Sequence, residues 1–202
     1  MLSRLREVFG PHCLDGGVFY LHDPALRFEL SRSGANVAMF VQAFDRAREV
    51  LSVVFGDSER LTVVMSGALP EPPLTFGYAR EHLRSMEACG VRLPRERECT
   101  VTLTDTLYGS AIEHVELAFE VPARHLPGLL WGVLAKDLGV RPRFECRLCL
   151  ADVSRGVLVS VYDDRGMDVI GWNHALLRTL YVSFGSYLLE YDRERMNRMF
   201  RT

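Results

Sequence analysis

The spacing of apolar residues along the chain changes period several times, and each change marks an element. An amphipathic pattern over Met1-Leu2-Ser3-Arg4-Leu5-Arg6-Glu7-Val8-Phe9 predicts a short helix stopped by Gly10-Pro11. Val18 to Leu21 and Leu26 to Leu30 are read as two short strands joined by a His22-Asp23-Pro24 turn. In the second strand Arg27 and Glu29 alternate with Leu26, Phe28 and Leu30, which predicts one buried and one polar face. Val37, Phe40, Val41, Phe44, Ala47, Leu51 and Val54 then recur at helical spacing, with Asn36 as a candidate cap and Gly56 as the stop.

Leu61 to Met65 suits a buried strand, and Pro70-Glu71-Pro72-Pro73 is the strongest loop signal. Tyr78 to Ala88 is expected to be helical, ending at Gly90. Cys99–Leu107 and Glu113–Val121 alternate with period two around Tyr108-Gly109-Ser110, which predicts a hairpin. A helix is expected over His125–Leu138. A second hairpin follows, Arg143–Leu150 with Val157–Tyr162, turning at Asp152-Val153-Ser154-Arg155-Gly156. Met167–Ile170 adds a third short strand. Asn173 and Asp192 are candidate caps of two final helices. Hairpins interleaved with helices imply one α+β domain over residues 1–202, with a mixed or mainly antiparallel sheet packed by about five to six helices.

Composition narrows the classes. The 202 residues are 48% hydrophobic and 25% charged, as in an ordinary globular domain. A net charge of −2 does not favour a nucleic-acid partner. The cations are arginines except Lys136, a bias that a GC-rich genome also produces. Five cysteines (Cys13, Cys89, Cys99, Cys146 and Cys149) without a signal-like leader point to a reducing, cytoplasmic setting. No apolar run reaches transmembrane length, so no membrane partner is expected.

Candidate chemistry is sparse. The Cys146-x-x-Cys149 segment is read as a strand, where residues three apart face opposite sides, so core packing is expected to outweigh a metal or redox role. Asp163, Asp164 and Asp168, with Arg165 among them and Tyr162 before them, form the most distinctive polar cluster. Three readings stay open for it. Asp-Asp-Arg-Gly is a good turn, with Gly166 able to take positive φ. Tyr162, Asp163, Asp164, Arg165 and Asp168 are candidate partner contacts. The three carboxylates are also a candidate Mg²⁺ site.

His22-Asp23 and Glu113-His114 place a carboxylate beside a histidine, but neighbours on a strand diverge. No nucleophile elbow, phosphate loop or zinc-protease motif occurs, and no cofactor is expected. Trp172, Tyr181, Phe184, Tyr187, Tyr191 and Phe200 concentrate near the C-terminus, as core or as interface anchors.

Three stretches carry a resemblance: Leu26-Arg27-Phe28-Glu29-Leu30, the run Val161-Tyr162-Asp163-Asp164-Arg165-Gly166-Met167-Asp168-Val169-Ile170, and Leu180-Tyr181 through Tyr191-Asp192-Arg193. They resemble a bacterial family known only as domain of unknown function 3885. Where that family often has tryptophan before its last helix, this chain has Tyr187. The resemblance implies no reaction. Small, motif-poor bacterial proteins of this kind are often immunity proteins. The expectation is therefore a non-enzymatic binding protein that neutralises a cognate toxin. The alternatives are a metal-dependent enzyme built on the three aspartates and a homodimer formed through the C-terminal aromatics.

Overall fold

A computed structural model describes residues 1–68, 76–105 and 111–200. Among them the helices are α1 (Leu2–Phe9), α2 (Val18–Leu21), α3 (Asn36–Val54), α4 (Phe76–Ala88), α5 (Leu126–Leu134), α6 (His174–Ser183) and α7 (Arg193–Phe200). The strands are β1 (Ala25–Glu29), β2 (Arg60–Ala68), β3 (Arg97–Asp105), β4 (Ala111–Pro122), β5 (Arg147–Asp152), β6 (Val157–Asp163) and β7 (Gly166–Gly171). The strands make one sheet in the order β1-β7-β6-β5-β2-β4-β3. Every pairing is antiparallel. The α+β expectation is met, with a wholly antiparallel sheet and seven described helices. The Pro70–Pro73 loop and the Tyr108-Gly109-Ser110 turn lie outside the described residues.

Strand alternation sorts the helices into two layers. One face carries Phe28, Met167, Leu148, Met65, Leu117 and Cys99, and receives α5 and α6 with α3 and α4. The opposite face carries Arg27, Asp168, Ser160, Cys149, Val64 and Glu116. It receives α1 through Arg6 Nη2 to Glu116 Oε2 at 2.6 Å, then α2, and α7 beside β1. Strands β5, β6 and β7 are covered on both sides and are buried along nearly their whole length, with Ser160 and Asp168 as polar members among apolar residues.

Four expectations are corrected. Val18–Leu21 is a helical turn rather than a strand, entered through Gly17 at φ 71°. Four residues are too few for a period to show, and Val18 and Phe19 are buried by tertiary packing. The α3 helix starts one residue after Ala35, and Asn36 spends its amide on the Leu138 carbonyl (3.1 Å) instead of capping. Two members of its apolar stripe, Val37 and Val41, are exposed. The fifth helix is shorter than expected, with a 3₁₀ turn at Ala123–His125 ahead of it. Asn173 caps α6 as expected, accepting from the Leu176 amide at 3.1 Å.

Candidate functional site: a buried ionic lattice under an exposed tyrosine patch

Strand register creates the site. Arg27 on β1 is the direct cross-strand partner of Asp168 on β7. Arg27 Nε and Nη2 donate to the two Asp168 oxygens at 2.7 and 2.9 Å, a bidentate fork. Its third nitrogen, Nη1, reaches Asp192 Oδ2 at 3.4 Å. The guanidinium also lies 4.9 Å from the Phe19 ring centre and 4.6 Å from that of Tyr20. The hydrogen bonds it donates to Asp168 hold the Arg27 proton more firmly than usual, against the opposing effect of burial.

Tyr20 closes the lattice. Its hydroxyl donates to Asp192 at 3.0 Å, so Asp192 bridges β1, α2 and the start of α7. Asp192 stands at the expected helix start, but its carboxylate faces Tyr20 and Arg27. The Phe19 amide adds a bond to Asp168 at 3.3 Å. Arg195 on α7 stacks outside, 5.3 Å from the Phe19 ring centre and 5.9 Å from that of Tyr20. Burial and the Asp192 hydrogen bond both raise the Tyr20 pKa, with Tyr191 near enough to contribute.

The Tyr162–Gly166 turn is built inward. Asp163 Oδ1 accepts from the Arg165 amide at 2.9 Å and Oδ2 from Arg165 Nε at 3.0 Å, with a second guanidinium contact to the same oxygen. Asp164 accepts from the Ser31 hydroxyl at 2.8 Å. All three clustered aspartates are buried, and each has its own partner: Arg165, Ser31 and Arg27. Among the described residues no group of three or more His, Cys, Asp or Glu side chains is placed to hold a metal ion.

Arg165 keeps its side chain 75% exposed, and Tyr162 is half-buried. Gly166 does not use positive φ. It is required for space: a Cβ there would sit 2.1 Å from the Tyr162 hydroxyl and 2.7 Å from the Phe28 carbonyl.

The remaining candidates resolve simply. Cys146 and Cys149 are buried free thiols, and burial pushes Cys146 up to about 12. His22 places its ring nitrogens 3.0 Å from the Val18 carbonyl and 2.9 Å from the Phe9 carbonyl, tying α1 to α2. The C-terminal aromatics divide. Phe200 is buried with Tyr181 stacked on it at 5.2 Å, whereas Trp172 is 56% and Tyr191 87% exposed.

A family model described as Domain of unknown function (DUF3885) matches residues 1–192. The chain belongs to this family. The match spans all seven strands of this DUF3885 chain and ends at Asp192 of the lattice. No curated protein and no solved structure matches. No described helix is long and apolar enough to cross a membrane.

Sequence reasoning found Asp168 in this DUF3885 chain but missed Arg27, Tyr20, Asp192 and Arg195 as its companions. Arg27 gave one signal, a cation flanked by buried residues on a strand of five. Tyr20 gave none, because its partner lies 172 residues away.

Proposed function

We propose that this chain acts by binding another protein, and that the partner is a bacterial toxin which it neutralises by direct contact. The observation that carries the binding reading is the surface above the lattice. Tyr20, Leu21 and Tyr191 are 49%, 53% and 87% exposed, and Arg195 lies against the Tyr20 ring. Tyrosine and arginine are favoured anchors of protein interfaces. Two χ angles make a tyrosine cheap to immobilise, and the Asp192 hydrogen bond already fixes Tyr20. The acidic turn enters this reading through Arg165, whose exposed guanidinium Asp163 orients.

The test is co-expression with the product of the adjacent gene. Wild-type chain is expected to suppress that product's toxicity and to co-purify with it. Tyr191→Ala is expected to weaken binding by roughly tenfold or more while leaving the thermal transition unchanged, since truncating an interface anchor typically costs about 2 kcal/mol. Arg165→Ala is expected to weaken it less. Persisting toxicity beside the wild-type chain would overturn the toxin assignment. Binding unaffected in a Tyr20→Ala/Tyr191→Ala double variant would overturn the surface. A dimer by light scattering, dissociated by Tyr191→Ala, would make the partner a second copy of this chain.

A further inference from the structure

At the far end of the sheet, helix α4 leans on α5 and stands away from the strands beneath it. Of its described side chains only Met86 is buried, and the inward-facing Leu83 is 43% exposed. The gap left is a cavity of about 370 Å³, within the range of roughly 300–1,000 Å³ usual for small-molecule sites. It does not overlap the lattice or the tyrosine patch. Met65, Met86 and Cys146 line its buried side, Leu117 is half-buried, and Leu83, Cys99 and Arg97 line its exposed side. The strand residues come from one face of β2, β4 and β3, because Met65, Leu117 and Cys99 are successive register partners. Methionine-rich walls adapt to flexible hydrocarbon better than branched ones.

Arg97 sets the polarity of the mouth. Its Nη1 donates to the carbonyls of Pro94 (2.9 Å) and Arg95 (3.4 Å). No described carboxylate pairs with it, whereas Glu145, which also lines the cavity, is ion-paired with Arg143 at 2.7 Å. His82, on the same wall, stacks over Phe144, and burial lowers its pKa, so it adds no fixed positive charge near neutral pH. Among the described residues that line it, the apolar cavity carries one guanidinium without a carboxylate partner, Arg97, while the Glu145 carboxylate is ion-paired with Arg143; this complements an apolar chain that ends in an anion.

We propose that the cavity between α4 and strands β2, β4 and β3 binds a medium-chain fatty carboxylate, its tail against Met65, Met86 and Leu117 and its carboxylate on Arg97. The site is independent of the proposed protein-binding surface, and either can fail without the other.

Cys99 supplies the readout. It lines the cavity and is exposed, whereas Cys13, Cys146 and Cys149 are buried, and burial pushes Cys89 up to about 11. Modification of Cys99 by a thiol reagent, followed by peptide mass analysis, reports occupancy. Decanoate, held below the concentration at which it forms micelles, is expected to slow Cys99 modification at least roughly fivefold and to bind measurably by calorimetry. Decanol is expected to bind roughly tenfold more weakly, as is decanoate to Arg97→Gln, the loss typical of one charged hydrogen bond. Leu83→Trp, which places an indole in the mouth, is expected to abolish protection. Absence of decanoate binding to the wild-type chain overturns the proposal. Equal binding of decanol overturns the carboxylate assignment, and unchanged binding to Leu83→Trp overturns the location.

Discussion

The two ends of the sheet are finished in opposite ways. At the β1 edge, backbone and ions close the structure. Leu189 donates to the Arg27 carbonyl, Leu30 to the Arg165 carbonyl, and Phe28 bridges to Leu188. The Arg27–Asp168–Asp192 lattice lies beneath, buried and over-determined. At the β3 edge the strand alternates threonine with apolar residues, and Cys99 to Thr102 are exposed. The helix above it makes few contacts with the strands. An open strand edge is a liability that the β1 end has covered. The contrast teaches that one fold can hold an end whose side chains are fixed by register and ion pairs, and a looser end that leaves a cavity beneath its helix.

The comparison breaks first at Asp168. Asp168→Ala leaves the Arg27 cation buried and without its fork, and should cost about 3–5 kcal/mol in urea unfolding. Replacing both members together, as Arg27→Met/Asp168→Leu, should recover most of that loss, because an apolar pair carries no desolvation penalty. A loss below about 1 kcal/mol for Asp168→Ala would show that the lattice does not hold this end together.

Gly166→Ala comes next. Its Cβ meets the Tyr162 hydroxyl and the Phe28 carbonyl, so a cost of about 1–3 kcal/mol is expected from overpacking. An unchanged melting temperature would mean that the turn yields easily and is not part of the rigid end.

Asp164 sharpens the comparison through pH. Burial, followed by the nearby Asp163 charge, raises its pKa, although the Ser31 hydrogen bond opposes this. A folded pKa above the unfolded one means that the native state holds this proton more tightly. The stabilisation is complete below the unfolded pKa and is lost as pH rises through the folded value. Asp164→Asn removes that loss while keeping an acceptor for Ser31. The variant should therefore gain on the wild type near neutral pH, and the gain should vanish in acid. A variant less stable at neutral pH would show that the charged form is the preferred one.

The smallest effect belongs to the other end. Val101→Thr on the exposed β3 edge should stay within about 0.5 kcal/mol of wild type. A cost comparable to that of Gly166→Ala would mean that the β3 edge is as tightly packed as the β1 edge.

Much of the architecture was legible from period alone. Glu113–Val121 alternates cleanly and forms most of β4, and the mainly apolar runs at 157–161 and 167–170 are the doubly covered strands β6 and β7. The Asp152 turn was legible too: one oxygen accepts from the Ser154 amide, the Ser154 hydroxyl and the Arg155 amide, as local turn chemistry predicts. The site was legible only in part. Asp163, Asp164, Arg165 and Asp168 stood out as an acidic turn, yet each aspartate faces a different way. The side chains of Arg27 and Glu29 were both assigned to a polar face. Arg27 is nearly enclosed because α2 and α7 fold over it.

What the sequence determined by itself is therefore local. It set the hairpins, the long helix, the Asn173 cap that acts within three residues, and the residue types that make turns. Tertiary structure decided which of those polar residues became a lattice. Arg27, Asp168, Asp192 and Tyr20 are brought together by strand register and by helices packed across the sheet, over separations of up to 172 residues. Periodicity reports which face a residue takes, and carries no information about what arrives on that face from elsewhere in the chain.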